Sequence, residues 1–202
     1  MVTVYDLVEL PITEEINIIS LWMAERRILY EYPGYDTQAF GAYDESHIPV
    51  IQKGIIGELI TFDYFHSQLD ENYGKLPWTE RWNVVKDRLC LQNHIGCFDE
   101  GSDLNVREKN VDIKTYHERY LIKTQIMRYN LFVSVRELEG KNPADFYVQT
   151  FLSPNNTLIL AGCHQGLPSH IRKDIPTPAY ACKVSNLMPI SFLVDLLLDT
   201  EK

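Results

Sequence analysis

The apolar positions of this chain change period several times, and each change marks an element. Ile16, Ile19, Trp22, Met23 and Ile28 recur at roughly helical spacing behind Pro11-Ile12-Thr13-Glu14-Glu15. Proline and acids in a first turn suit the positive end of a helix, so a helix is expected from this entry to about Tyr32, with Pro33-Gly34 stopping it. Residues 33–50, rich in Gly, Tyr and Asp, read as loop. A second helix is expected from about Val50, carrying Gly54, Gly57, Glu58, Leu59, Phe62 and Phe65. Gly54 and Gly57 lie one turn apart on one face. Each costs about 1 kcal/mol relative to alanine, so a close backbone approach on that face is expected to compensate. Residues 70–82 read as loop, and Asn83 to Leu91 as a strand.

Alternation takes over next. Asp103-Leu104-Asn105-Val106-Arg107 and Val111-Asp112-Ile113-Lys114-Thr115 are two strand-like runs joined by Glu108-Lys109-Asn110. Side chains at i and i+2 of a strand share a face, so Asp112 and Lys114 point the same way. Pairing Val106 with Val111 across a four-residue turn sets Leu104 opposite Ile113 and Asp103 opposite Lys114. One face is then wholly apolar, and the other gathers Asp103, Asn105, Asp112 and Lys114. A one-residue slip would bury charges among valines, so the pattern selects its own faces. A helix is expected from about Glu118 to Tyr129, then strands at Leu131–Val135, Phe146–Leu152 and Thr157–Ala161. Pro176 and Pro178 mark a loop, and Ile190–Leu198 reads as an apolar helix.

Composition narrows the class. The 202 residues suit one domain with a real core, and 45% apolar with 23% charged residues is ordinary for a globular chain. No apolar run nears the roughly 20 residues that span a bilayer, and no basic-then-apolar leader opens the chain, so a soluble intracellular (cytoplasmic) protein with no membrane partner is expected. The sequon Asn155-Asn156-Thr157 carries no meaning without a secretory signal. Four cysteines are too few and too scattered for a disulfide framework. Cys90, His94 and Cys97, with Cys163-His164, could supply zinc ligands, but their spacing matches no strong zinc signature and ordinary buried thiols are the expected reading. A net charge of −9 excludes bulk coating of nucleic acid, though not a nuclease, whose metal site needs carboxylates. Arg119, Lys123 and Arg128, or Arg172 and Lys173, are candidates for a local basic stripe; a solvated surface is the plain alternative.

A glutamate-bearing helix, then a strand pair bearing Asp and Asp-x-Lys, then a helix and further strands, resembles the PD-(D/E)XK nuclease superfamily over roughly residues 54–160. The resemblance makes Glu58, in Gly-Ile-Ile-Gly-Glu, the first-helix acid. Asp103 becomes the second-strand acid, and Asp112 and Lys114 the third-strand pair. Ser102 stands where the family often has proline. The resemblance implies an α/β (α+β) fold with a restriction-endonuclease-like core, a central mixed β-sheet flanked by helices. Residues 1–50 and 165–202 would be extensions to a catalytic core at 54–160. It also implies Mg²⁺, replaceable by Mn²⁺. Asp103 and Asp112 would be core ligands, the Ile113 carbonyl a further one, and Glu58 would bind directly, through water or at a second metal. Lys114 would hold and polarise the attacking water. Hard oxygen donors suit Mg²⁺, and phosphodiester hydrolysis needs charge neutralised on phosphate oxygens.

Gln125-Ile126-Met127-Arg128-Tyr129 matches the Gln-x-x-x-Tyr pattern of the exonuclease branch of that superfamily, so Gln125 and Tyr129 are expected on one helix face touching DNA or metal-bound water, with Lys123 and Arg128 as further DNA contacts. A core tyrosine with a glutamine at its edge is the alternative. The branch's iron–sulfur arrangement does not fit, since two cysteines precede the core acids and two follow. His117 reads as an ordinary hairpin-end histidine. The expected function is a metal-dependent deoxyribonuclease in DNA processing, recombination or restriction. Endonuclease action is favoured, because the short chain carries no helicase or processivity element. The competing readings are a noncatalytic nucleic-acid-binding or assembly module on the same fold, and an unrelated α/β protein with a chance Asp-x-Lys hairpin. The apolar Leu187–Leu198 segment is a candidate homodimer interface, with core packing its commoner fate.

Overall fold

The computed structural model describes residues 1–30, 36–37, 41–42, 45–77, 79–81, 83–84, 103–106, 108–117, 122–135, 138 and 142–199. In chain order its elements begin with β1 (Val8–Pro11), α1 (Glu14–Tyr30), the two-residue strands β2 (Asp36–Thr37) and β3 (Gly41–Ala42), α2 (Ile48–Leu69) and α3 (Glu71–Lys75). There follow β4 (Leu104–Val106), β5 (Lys109–His117), α4 (Lys123–Ile126) and β6 (Asn130–Ser134). The chain continues through β7 (Phe146–Ser153), β8 (Thr157–Gln165), β9 (His170–Arg172), β10 (Ala179–Lys183) and α5 (Ile190–Asp199).

The architecture is mixed α/β. Its main sheet has the order β1-β8-β7-β5-β4, with β5 and β7 parallel and the other pairs antiparallel. A second antiparallel sheet has the order β6-β10-β9. Central strands covered on both faces lose polar alternation. In β7 every residue from Phe146 to Leu152 is accordingly buried. Pro11 cannot donate to a ladder and sits in β1, an edge strand, where that costs least. On one face Val111, Ile113, Phe146 and Val148 pack with Ile16 of α1, Ile55, Leu59 and Phe62 of α2, and Leu193 and Leu197 of α5. On the other, Tyr147, Phe151 and Ile159 pack with Leu131, Val133, Val184 and Leu187.

The two long helices match their expected extents closely. Glu14 and Glu15 open α1, and the Thr13 hydroxyl accepts from the Ile16 N–H at 3.4 Å. The α2 helix starts two residues early, with Pro49 in its first turn. Gly57 provides a close approach, though to side chains rather than to a backbone: a Cβ there would fall on the Thr115 hydroxyl and lie 3.3 Å from Thr150 Oγ1. Gly54 does not, since a Cβ there would meet nothing within 4 Å. The α5 helix buries Ile190, Leu193, Val194 and Leu197 in its own chain's core, leaving Phe192 and Leu198 exposed.

Three expectations are corrected. The 70–82 loop contains α3, whose N-cap Asp70 accepts from the N–H groups of Asn72 (2.9 Å) and Tyr73 (3.2 Å), and residues 79–81 are helical. Within the expected strand at Asn83–Leu91, residues 83 and 84 are helical and 85–91 lie outside the described residues. Of the expected Glu118–Tyr129 helix, only Lys123–Ile126 is helical among the described residues, and 118–121 lie outside them. Among the described residues no helix is long and apolar enough to cross a membrane.

The hairpin forms, but tighter than expected. Val106 pairs with Lys109 and Leu104 with Val111, and the turn residue Glu108 takes φ 64°. A two-residue connection requires such a left-handed conformation, which a glutamate adopts only at some cost. The pairing is therefore two residues out from the expected one. An even slip keeps every side chain on its face, so Leu104, Val106, Val111 and Ile113 are all buried together. Asp103 changes partner: one step further along this register it stands level with Asp112 rather than Lys114.

Candidate active site

The site begins where β4 stops covering β5. Asp103 lies just outside β4, and its Oδ2 accepts from the Ile113 N–H at 2.6 Å, where a further strand residue would otherwise bond. In a strand the N–H and C=O of one residue point to the same side. The Ile113 carbonyl therefore faces the same open edge as Asp103. Asp112 and Lys114 leave the face of β5 that Tyr147 shares, and Lys114 Nζ stands 2.8 Å from Asp112 Oδ1. Asp112 is 7% exposed. Glu58 arrives from the other side of the sheet on α2, 9% exposed, one residue after the glycine that lets this helix lie against Thr115.

These four predicted residues meet electrostatically. The Asp103 carboxyl sits well above the usual carboxylate range, first because burial disfavours its charged form, then because Asp112 and Glu58 repel it. Lys114 and the Ile113 N–H offset this only in part. An acid with a higher pKa folded than unfolded binds more protons in the native state, so stability falls as pH rises from the unfolded value, about 3.9, through the raised folded one. The deficit then persists at neutral pH. Asp103→Asn keeps an acceptor for the Ile113 N–H and removes the titration. In chelator it is expected to be more stable than the parent at pH 7, with the gap closing as pH falls through about 4. Denaturant unfolding of both proteins across pH checks this, and a variant less stable at pH 7 would contradict it.

Among the described residues, no three side chains of His, Cys, Asp or Glu stand ready as they are to hold a metal ion. Lys114 lies on Asp112, and the Ile113 N–H holds Asp103. The donor chemistry nonetheless fits a hard divalent cation: carboxylates that repel one another, with a strand carbonyl on the same edge. Such an ion would relieve the repulsion that raises the Asp103 pKa.

Other expected participants lie elsewhere. Asn105 Nδ2 donates to Asn110 Oδ1 at 3.0 Å on the exposed side of the hairpin. Lys123 forms an ion pair with Glu9 of β1. Gln125 is exposed on α4, which ends at Ile126, so Gln125 and Tyr129 do not share a helix face. The Tyr129 ring instead packs with Tyr116 (5.1 Å) and Phe151 (5.5 Å), as the core-tyrosine alternative holds. Arg128 is exposed in the turn between them. His117 is exposed at the end of β5, its pKa lowered by partial desolvation and by Lys53. Arg172 bonds Asp174 through Nε at 2.6 Å, and Lys173 is exposed. Cys163 is buried, as expected of an ordinary core thiol, and that burial pushes its thiol up to about 12. Cys90, His94, Cys97, Ser102 and Arg119 lie outside the described residues.

Sequence reasoning missed two polar residues beside Lys114. Gln149 and Thr150, 3% and 0% exposed, interrupt an otherwise apolar central strand. A lone amide in a run such as Phe146–Leu152 is the signal that marks them. No family model, curated protein or solved structure matches this chain.

Proposed function

We propose that this chain is a divalent-metal-dependent deoxyribonuclease with a restriction-endonuclease-like core of the PD-(D/E)XK type. The observation that carries the reading is the gathering of Asp103, Asp112 and Lys114 at one sheet edge, with Glu58 of α2 near enough to repel Asp103. The element order supports it as well: an acid-bearing helix, the β4–β5 hairpin, a helical turn, β6 in the second sheet, then β7 returning parallel to β5. Mg²⁺ or Mn²⁺ would be held by Asp103, Asp112 and the Ile113 carbonyl, with Glu58 beside them. When bound, the ion supplies positive charge against that building on the phosphate and makes water more acidic. As the water oxygen bonds to phosphorus a bridging P–O bond would break, the freed strand end leaving as a hydroxyl and the water's proton passing to solvent. Lys114 would donate from its ammonium to that water and to the developing charge. Glu58 accepts from the same water network, and the buried setting strengthens each of these interactions.

The endonuclease mode is favoured over the exonuclease mode, because the Gln125–Tyr129 face that marks the exonuclease branch does not form. Incubation of supercoiled and linear plasmid with Mg²⁺, Mn²⁺ or chelator tests both levels. Nicking or linearisation of the closed circle with either metal, and none in chelator, is the expected result. Degradation of linear DNA alone would overturn the endonuclease mode. Intact DNA under every condition would overturn the nuclease reading itself.

A further inference from the structure

The Lys114 carbonyl is held by a side chain of the neighbouring strand, and the next residue, Thr115, is held on the opposite face of the sheet. In the parallel β5–β7 pairing Lys114 lies beside Gln149, and Thr115 beside Thr150. Gln149 Nε2 donates to the Lys114 carbonyl at 2.8 Å and to its own neighbour's, Thr150, at 2.8 Å. On the helix face the Thr150 hydroxyl bonds the Thr115 hydroxyl at 3.0 Å, and Gly57 of α2 lies directly over Thr115. Hydrophobic residues would fill a central strand as well as these do, and a buried amide is tolerated only with its hydrogen bonds made. The register, not general stability, explains where they stand: both sit at the two β7 positions level with Lys114 and Thr115. The strand pairing also turns at this point, with a bulge against β8 between Gln149 and Thr150. A bulge loosens the local ladder, and the added side-chain bonds restore a fixed backbone there.

We propose that Gln149 is a positioning residue for Lys114: by holding the Lys114 carbonyl it sets where the ammonium stands beside Asp112 and the reacting phosphate. The role in turnover rests on the nuclease reading, whereas the effect on Lys114 itself does not. Gln149 holds the Lys114 carbonyl by a side-chain bond, and a displacement of about 1 Å at a catalytic group costs up to about 100-fold in rate. Gln149 touches neither metal ligand through its described bonds, so metal affinity is expected to be spared.

Two variants test this. Gln149→Met keeps the volume and removes both donors. Gln149→Glu restores one donor while its carboxyl is protonated and loses it on ionisation. Nuclear magnetic resonance of ¹³Cε-labelled lysine, with the Lys114 signal assigned by its loss in Lys114→Ala, is expected to show that signal shifted in Gln149→Met while the others stay. In the cleavage assay Gln149→Met is expected to lower kcat by about 10- to 100-fold with KM and Mn²⁺ affinity held within about twofold. Gln149→Glu is expected to recover much of kcat at low pH and lose it as pH rises, a limb absent from Gln149→Met. An unshifted Lys114 signal in folded Gln149→Met overturns the proposal whether or not the parent cuts DNA. A parent that cuts no DNA, with the Lys114 signal shifted, overturns the nuclease reading and leaves the positioning contact standing. Parent-level kcat in Gln149→Met, or an equal fall in Mn²⁺ affinity and kcat, also overturns the proposal.

Discussion

Lys114→Ala is expected to lower DNA cleavage by about 100- to 1,000-fold while Mn²⁺ still binds, as tightly as to the parent or more so. The ammonium that stands 2.8 Å from Asp112 Oδ1 is a positive charge on one of the proposed metal donors. Removing it takes away the group that holds water and meets developing charge, but it also frees that oxygen for a cation. Asp112→Asn has the opposite signature: it removes a ligand's charge, so Mn²⁺ affinity and turnover fall together. Calorimetric Mn²⁺ titration beside plasmid cleavage separates the two. Parent-level cleavage by Lys114→Ala at saturating metal would reduce the lysine to an internal counter-ion and remove the main support for a nuclease.

Gly57→Ala is expected to destabilise the fold by about 1–3 kcal/mol, the range for overpacking a filled core. The new methyl would fall on the Thr115 hydroxyl, which is bonded to Thr150 at 3.0 Å. Threonine is stiff at χ1, so either that bond breaks or α2 rises from the sheet and draws Glu58 with it. Cleavage is expected to drop with stability, and adding Thr115→Ala to Gly57→Ala is expected to recover part of the lost stability. Gly54→Ala provides the contrast. A Cβ there meets nothing within 4 Å, so this mid-helix change is expected to stabilise by up to about 1 kcal/mol. Thermal and denaturant melts of the variants decide it. Equal effects at the two glycines would contradict the close approach.

Elements with a strong period were legible in the sequence. The helices carrying Ile16 and Glu58, and the strands at β6 and β7, fall close to their expected spans, and β8 starts where expected but runs on to Gln165. The faces of the β4–β5 hairpin were legible too, because burial of Leu104, Val106, Val111 and Ile113 permits only even shifts. The register itself was not, since Glu108 is not a residue whose type announces a left-handed turn. That shift decides what Asp103 faces. The helix expected through Tyr129 ends at Ile126 because the chain must turn into β6 at Asn130, a tertiary demand that overrides local spacing. Asp70 is the cap that starts α3, but Gly74 and Pro77 so soon after it mask so short a helix in the sequence. Gln149 was hidden for another reason: its meaning comes from the parallel partner it meets, Lys114, 35 residues away in the chain.

One divalent cation is expected at the edge where Asp103 and Asp112 meet. Anomalous diffraction from crystals soaked in Mn²⁺ is expected to show one strong peak within about 2.0–2.4 Å of oxygens from Asp103, Asp112 and the Ile113 carbonyl, with the Lys114 ammonium moved off Asp112. At saturating Mn²⁺, no peak at that edge, or peaks only at surface carboxylates elsewhere, would contradict it.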